Sequence, residues 1–379
     1  SERMKQRIVI VTESFLPSLN GVTNSVLRIL DTLHSLGHEA LIIAPTSPVN
    51  KYLGFKVVKT KHFHFKQFPV ALPLMAMKRI FLEFKPDVVH VAAPFALGNQ
   101  ALRVAKKLNI PGVAIYQTDI SGYLQRYKLE LLKPAVDEFV ASIHRKAAIT
   151  LAPTPETAAN LTALNAGKVD VWGRGIDLKA YDPSRKQTLE VEALRAKYVR
   201  PGNLLVGFVG RLAAEKQVER MAELFGLPGV DFLIVGDGPE RAALEQQFRG
   251  RPVTFTGRLE GEALANAYAG LDIFVHFGTE ETFGQTIQEA QASQLPVIAP
   301  ARGGPIHLIQ DGVTGFLVDP DELRPYRARV AELLEDENLR RRIAKQARES
   351  VIGRTWERNN DRLLEHYKNA IQEAKVGRQ

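Results

Sequence analysis

Short continuous runs of β-branched and other apolar residues recur along this chain, each followed by a stretch with helical spacing. In the first half the runs are Ile8–Thr12, Ala40–Ala44, Val88–Val91, Val113–Tyr116, Ile149–Ala152 and Val169–Trp172. In the second half they are Leu205–Val209, Phe232–Val235, Val253–Thr256, Ile273–Phe277, Val297–Ala299 and Phe316–Val318. Helical patterns such as Val22–Leu36, Glu240–Phe248 and Leu264–Ala269 lie between them. A strand that is apolar without alternation is buried on both faces, which is the condition of a parallel sheet covered by helices. The pattern therefore predicts an α/β chain of two doubly wound, Rossmann-like domains. At 379 residues the chain is too long for one ordinary core. The expected division is 1–175, 176–354, and an amphipathic C-terminal helix over 355–379 that packs back on the N-terminal domain.

Composition narrows the function classes. There is no cysteine, which excludes disulfides and thiolate metal sites and suits a reducing cytoplasm. No apolar run approaches the roughly 20 residues that span a bilayer. Ser1–Arg3 read as an expression remnant ahead of a native start at Met4, with no signal-peptide core following. The net charge of +8 is uneven: through Gly175 there are 22 Lys and Arg against 12 Asp and Glu (+10), and beyond it 28 against 30 (−2). A basic first half points to an anionic partner, with simple solubility as the plain alternative. Lys51 to Lys85 carries eight cations and one acid, Glu83, interleaved with Phe63, Phe65, Phe68, Leu72, Leu74, Met75, Met77, Ile80 and Phe81. That mixture predicts docking on an anionic membrane face. No nucleic-acid module is visible, and the glycine fingerprint of a nicotinamide enzyme is missing after the first strand.

In open parallel sheets ligands bind beyond the carboxyl ends of the strands, and the distinctive residues sit there. Strand Ile8–Thr12 leads through Pro17-Ser18-Leu19-Asn20-Gly21 into a helix, a loop that can offer N–H groups to phosphate. Strand Leu205–Val209 ends in Gly210-Arg211-Leu212 with Lys216 soon after, two cations able to neutralise a diphosphate or simply to be solvated. The glycines of Gly236-Asp237-Gly238-Pro239, and Gly257-Arg258 after the next strand, read as turns that admit a base to the backbone. After Ile273–Phe277 comes Gly278-Thr279-Glu280-Glu281-Thr282-Phe283-Gly284-Gln285-Thr286-Ile287-Gln288-Glu289. Glu281 is expected before a helix and Glu289 roughly two turns inside it, where carboxylates can grip hydroxyls. Taken singly, each has a plainer reading, as a helix N-terminal acid and a surface residue.

Together with Gly37-His38-Glu39, Pro86-Asp87-Val88-Val89-His90 and Arg174-Gly175-Ile176-Asp177, these motifs make the chain resemble the family-4 retaining glycosyltransferases. The resemblance covers nearly the whole chain and implies the GT-B fold, with two Rossmann-like domains facing a central cleft. It implies that Arg211, Lys216 and Glu281 are catalytic, the two cations on the leaving diphosphate and Glu281 on the donor sugar. The Phe283, Gly284 and Gln285 backbone would join Glu281, Glu289 would hold the ribose, and Gly21, Gly210 and Arg258 would complete the donor site. Asp119, Arg174 and Asp177 are implied acceptor or cleft residues. Gln117 stands where most members have a histidine; it can bind a hydroxyl but cannot act as a base. Asn20 stands where the family often has glycine. The wording Tyr116-Gln117-Thr118-Asp119 and Gln288-Glu289-Ala290-Gln291-Ala292-Ser293 looks most like bacterial enzymes that transfer mannose from GDP-mannose to glucuronosyl-diacylglycerol or phosphatidylinositol-type lipids. UDP-glucose with a lipid or soluble acceptor is the alternative. Retention through a front-face mechanism is implied, without cofactor or metal, no Asp-x-Asp pair of the ion-holding kind being identified. The implied location is cytoplasmic, peripheral on the inner face of the plasma membrane.

Overall fold

A computed structural model describes residues 4–60, 64–65, 68–69, 74–117 and 130–378. They divide into two compact units, Ser1–Arg174 with Trp356–Gln379, and Gly175–Thr355.

The first unit holds β1 (Arg7–Thr12), β2 (Glu39–Ala44), β3 (Lys51–Tyr52), β4 (Phe55–Lys59), β5 (His64–Phe65), β6 (Phe68–Pro69), β7 (Val88–Ala92), β8 (Gly112–Ile115), β9 (Ile149–Ala152) and β10 (Val169–Val171). Its main sheet runs β10-β9-β8-β7-β1-β2-β4-β3, parallel except for the β3–β4 hairpin, while β5 and β6 pair separately. The unbroken apolarity of β1 has a direct explanation. Ile8 and Ile10 enter one core layer, Val9 and Val11 the opposite one, and all four are fully buried. Helix α1 (Gly21–Ser35) covers the first layer with Val26, Ile29, Leu30 and Leu33. Helices α2 (Leu74–Phe84) and α3 (Ala96–Lys107) cover the second.

The hairpin β3–β4 was not legible in the sequence, and the basic stretch around it divides. Met77 and Phe81 on α2 are core residues, whereas Leu74, Met75 and Leu82 on the same helix are exposed beside Lys78 and Arg79. Lys61, Phe63, Lys66 and Leu72, and the side chains of Phe65 and Phe68, lie outside the described residues.

The C-terminal helix, α4 (Trp356–Val376), belongs to this first unit. Leu363, Tyr367 and Ala370 join the layer beneath α1. Polar ties fix its register: the Tyr367 hydroxyl meets His90 Nδ1 at 2.6 Å, Trp172 Nε1 donates to the Asn359 carbonyl at 2.7 Å, and Asn359 Nδ2 donates to the Gly173 carbonyl at 3.1 Å.

The second unit holds β11 (Leu204–Val209), β12 (Val230–Val235), β13 (Val253–Gly257), β14 (Ile273–Val275), β15 (Val297–Pro300) and β16 (Gly315–Val318). They form one parallel sheet, β13-β12-β11-β14-β15-β16. Val206 and Phe208 of β11 face one core layer, Leu205 and Val209 the other. The chain runs from β11 outward to β13, then returns to place β14 on the other side of β11. The β11/β14 border is therefore a topological switch point, the position where an open α/β sheet binds its ligand.

Candidate active site

The C-terminal ends of β11 and β14 bring the strongest motifs together. Gly210-Arg211-Leu212 leaves β11 and a short 3₁₀ turn, Ala214–Lys216, follows. His276-Phe277-Gly278 leaves β14 and leads to Glu281. Lys216 Nζ donates to Glu281 Oε2 at 2.9 Å, and both side chains are mostly covered, at 26% and 19% exposure. Burial pushes the Glu281 carboxyl up, but the Lys216 charge, with smaller help from His276 and the Gly284 backbone, brings it down to about 2. Burial pushes the His276 ring down to about 4 against the pull of Glu281, so it is uncharged near neutrality and Lys216 supplies the attraction. Arg211 is exposed and forms no ion pair among the described residues. The loop ends thus present one committed cation and one available cation.

Backbone packing holds the Arg211 loop. Gly236 (φ +143°) and Gly238 (φ +156°) lie so close to it that a Cβ would meet the Gly210 carbonyl at 1.8 Å and the Leu212 carbonyl at 2.4 Å. Leu212 N–H donates to the Asp237 carbonyl at 2.9 Å, and Glu240 N–H to the Leu212 carbonyl at 2.9 Å. These glycines, expected to admit a base, are required by the protein's own chain. Glu281 is held likewise, its carbonyl accepting from Gly304 N–H at 2.8 Å.

Helix α5 (Gln285–Ala292) follows Gly284, whose φ of +100° ends the loop without a side-chain cap. Its first N–H groups are consequently a site for negative charge. Because the helix starts at Gln285, Glu289 stands one turn inside it rather than two. The Glu289 carboxylate accepts from the fully buried Tyr268 hydroxyl at 2.7 Å. Tyr268, on a helix spanning Gly261–Gly270, escaped sequence reading because nothing local distinguishes it from a core aromatic. Phe283 is buried in the core, and the Gln285 side chain turns away to donate to the Gly175 carbonyl at 2.9 Å.

Other expected residues have different surroundings. The Asp177 carboxylate accepts from Lys179 and Ala180 N–H at 3.1 and 3.0 Å, so it shapes the turn it stands in. Arg258 pairs with Glu260 at 2.9 Å on an exposed surface. Asp319-Pro320-Asp321 does have Asp-x-Asp spacing, but Asp319 accepts from the Asp321 N–H at 2.9 Å and Asp321 pairs with Arg302.

The first unit, described by itself, holds other expected residues. Asn20 caps α1, its Oδ1 accepting from Thr23 N–H at 2.9 Å, a bond that glycine there would lose. The Arg174 guanidinium lies against Gly21, within 2.8 Å of where a Cβ would stand, and over the Trp356 ring at 5.8 Å. Gln117, just past β8, has a buried Oε1 without a hydrogen-bond partner among the described residues, an atom suited to a ligand hydroxyl. Asp119 lies outside the described residues. Glu13, not anticipated from sequence, accepts from Leu97 N–H at 2.7 Å and thereby caps α3 from the end of β1.

Removing the ammonium tests the Lys216–Glu281 pair. A carboxyl lowered from 4.5 to about 2 stabilises the fold above pH 4.5, and that contribution is lost as pH falls toward 2. Lys216→Met is expected to cost about 1–3 kcal/mol at pH 7. Urea unfolding at pH 7 and pH 3 should show the variant losing less stability between the two than the parent does; parallel losses would dissolve the pair.

Comparison with known proteins identifies the family. The family model described as glycosyl transferases group 1 matches residues 190–350, and that of glycosyltransferase family 4 matches residues 19–180. A GDP-mannose-dependent alpha-mannosyltransferase of Corynebacterium glutamicum is 42% identical, over 96% of this chain and 89% of its own. The alpha-monoglucosyldiacylglycerol synthase of Acholeplasma laidlawii is 27% identical over 83% of this chain and 85% of its own. Among solved structures, Anabaena HepE in complex with UDP superposes with a TM-score of 0.78 at 20% identity, over 97% of this chain and 100% of that one. The chain is a family-4 glycosyltransferase with the GT-B fold.

Proposed function

We propose that this enzyme transfers mannose from GDP-mannose to a glycolipid acceptor, with retention of the anomeric configuration. The observation that carries the donor side is the Lys216–Glu281 pair beside Arg211 at the β11/β14 switch point. A nucleotide-sugar reaction places negative charge on the departing diphosphate, and stabilising that charge is the main catalytic task. Arg211 supplies a planar guanidinium fork and Lys216 a point charge, so the reading needs no metal. Glu281 fits the sugar hydroxyls, the start of α5 fits the charge developing on the diphosphate, and Glu289, oriented by Tyr268, fits the ribose hydroxyls. With the sugar and acceptor held together, the diphosphate oxygen can itself take the acceptor proton as the glycosidic bond forms on the face it leaves.

Mannose and guanine rest on the similarity to the Corynebacterium enzyme; UDP-glucose remains the alternative donor. The lipid acceptor draws support from the diacylglycerol-glucosylating relative and from α2, whose outer face sets Lys78 and Arg79 among exposed Leu74, Met75 and Leu82. Cations beside apolar side chains suit an anionic lipid surface. Among the described residues no helix is long and apolar enough to cross a membrane, and the reading is of an enzyme bound to the inner face from the cytoplasm.

Calorimetry is expected to show GDP binding more tightly than UDP, with GDP-mannose consumed in preference to UDP-glucose. Arg211→Ala should lower turnover about 10²–10³-fold with the fold intact. UDP preference, or parent rates from Arg211→Ala, would overturn the donor assignment. Co-sedimentation should show the protein on anionic vesicles, released by salt and by Lys78→Glu with Arg79→Glu; indifference to anionic lipid would move a soluble acceptor to the front.

A further inference from the structure

His276 has no part in the reaction as derived so far. It stands just past β14, is 1% exposed, and neither ring nitrogen has a hydrogen-bond partner of full geometry among the described residues. The Gly278 backbone exerts a weak hydrogen-bonding pull on the ring, the smallest of the influences on it, and falls short of a full hydrogen bond. Burying two polar nitrogens without partners is unfavourable, and buried polar groups in folded proteins are overwhelmingly satisfied. A second arrangement that satisfies the ring would account for its presence.

The neighbouring pair supplies one. His276 Nε2 lies 4.0 Å from Glu281 Oε2, the same oxygen that accepts from Lys216 Nζ at 2.9 Å. Lys216 is under two demands. In the free protein it neutralises Glu281; on the nucleotide-sugar reading it must also meet the leaving diphosphate. When its ammonium turns to phosphate, Glu281 becomes a mostly covered carboxylate stripped of its cation, a costly state.

We propose that His276 is a positioning residue that takes hold of the Glu281 carboxylate when Lys216 engages the diphosphate. A ring shift of about 1 Å brings Nε2–H into hydrogen-bond range of Oε2. The neutral ring suffices as donor and no proton changes place. Glu281 then keeps its orientation toward the sugar while Lys216 serves the leaving group. What draws Lys216 away rests on the donor reading, but the hand-over itself is a property of three side chains and can be tested without nucleotide.

Lys216→Met removes the ammonium permanently and should leave Glu281 held by His276. Thermal unfolding at pH 7 is to be compared for the parent, His276→Leu, Lys216→Met and the double variant. In the parent background His276→Leu is expected to shift the midpoint by less than about 2 °C; in the Lys216→Met background it should lower it by about 3 °C or more. His276→Gln, which retains an N–H donor, should recover most of that loss. Equal shifts in both backgrounds would overturn the proposal. The second arm is GDP affinity by calorimetry, expected to fall about tenfold in His276→Leu and to recover in His276→Gln. Undiminished affinity in His276→Leu would also overturn it. Failure of the parent to bind GDP would instead count against the donor reading, leaving the unfolding comparison to judge the hand-over.

Discussion

One ion pair, Lys216 with Glu281, joins the loop leaving β11 to the loop leaving β14. Its strength comes from cover. At 26% and 19% exposure the partners are shielded from water, and the attraction outweighs the burial penalty enough to keep Glu281 ionised far below neutrality. The two strands are neighbours only because the chain reverses direction across the sheet between β13 and β14. Sheet topology thus places residues that are 65 positions apart within one hydrogen bond.

Much of the surrounding structure serves to hold these loop ends. The layers on both faces of β11 fix where the strand ends. Gly236 and Gly238 let the next loop press against Gly210 and Leu212, and Gly304 does the same for the Glu281 loop. With the backbone set in this way, only side-chain ends have to move when charge appears on a ligand, which keeps the reorganisation that electrostatic catalysis must avoid local. Arg211, exposed on the same loop as Lys216, is a cation with no ion pair among the described residues. The first unit uses comparable devices at its own strand ends, with Asn20 capping α1 and Glu13 capping α3.

The sheets were legible because burial on both faces leaves unbroken apolar runs, as in Ile8-Val9-Ile10-Val11. The β3–β4 hairpin was not, because an edge hairpin rich in lysine carries no such run. Arg211, Lys216, Glu281 and Glu289 were singled out as candidates from motif and position, and the structure sets them after β11 and β14, the strands that bound the switch point. The turn count to Glu289 depended on Gly284 adopting a left-handed conformation, which fixes the helix start and is invisible in a list of residues. Tyr268 and His276 were missed for a different reason. Each is distinguished by a partner that only the fold reveals: Tyr268 donates to Glu289, 21 positions away, and His276 Nε2 lies 4.0 Å from Glu281 Oε2. Asp177 accepts from the backbone of its own turn, and nothing in the sequence distinguishes a carboxylate with that task from one that meets a ligand.

The central claim is that the cations at the β11/β14 border receive the diphosphate. A crystal structure of the protein with GDP tests it most directly. The account predicts diphosphate oxygens within hydrogen-bond distance of Arg211 and Lys216 Nζ, with the ribose on Glu289. Diphosphate bound elsewhere, with Lys216 still committed to Glu281 alone, would contradict it.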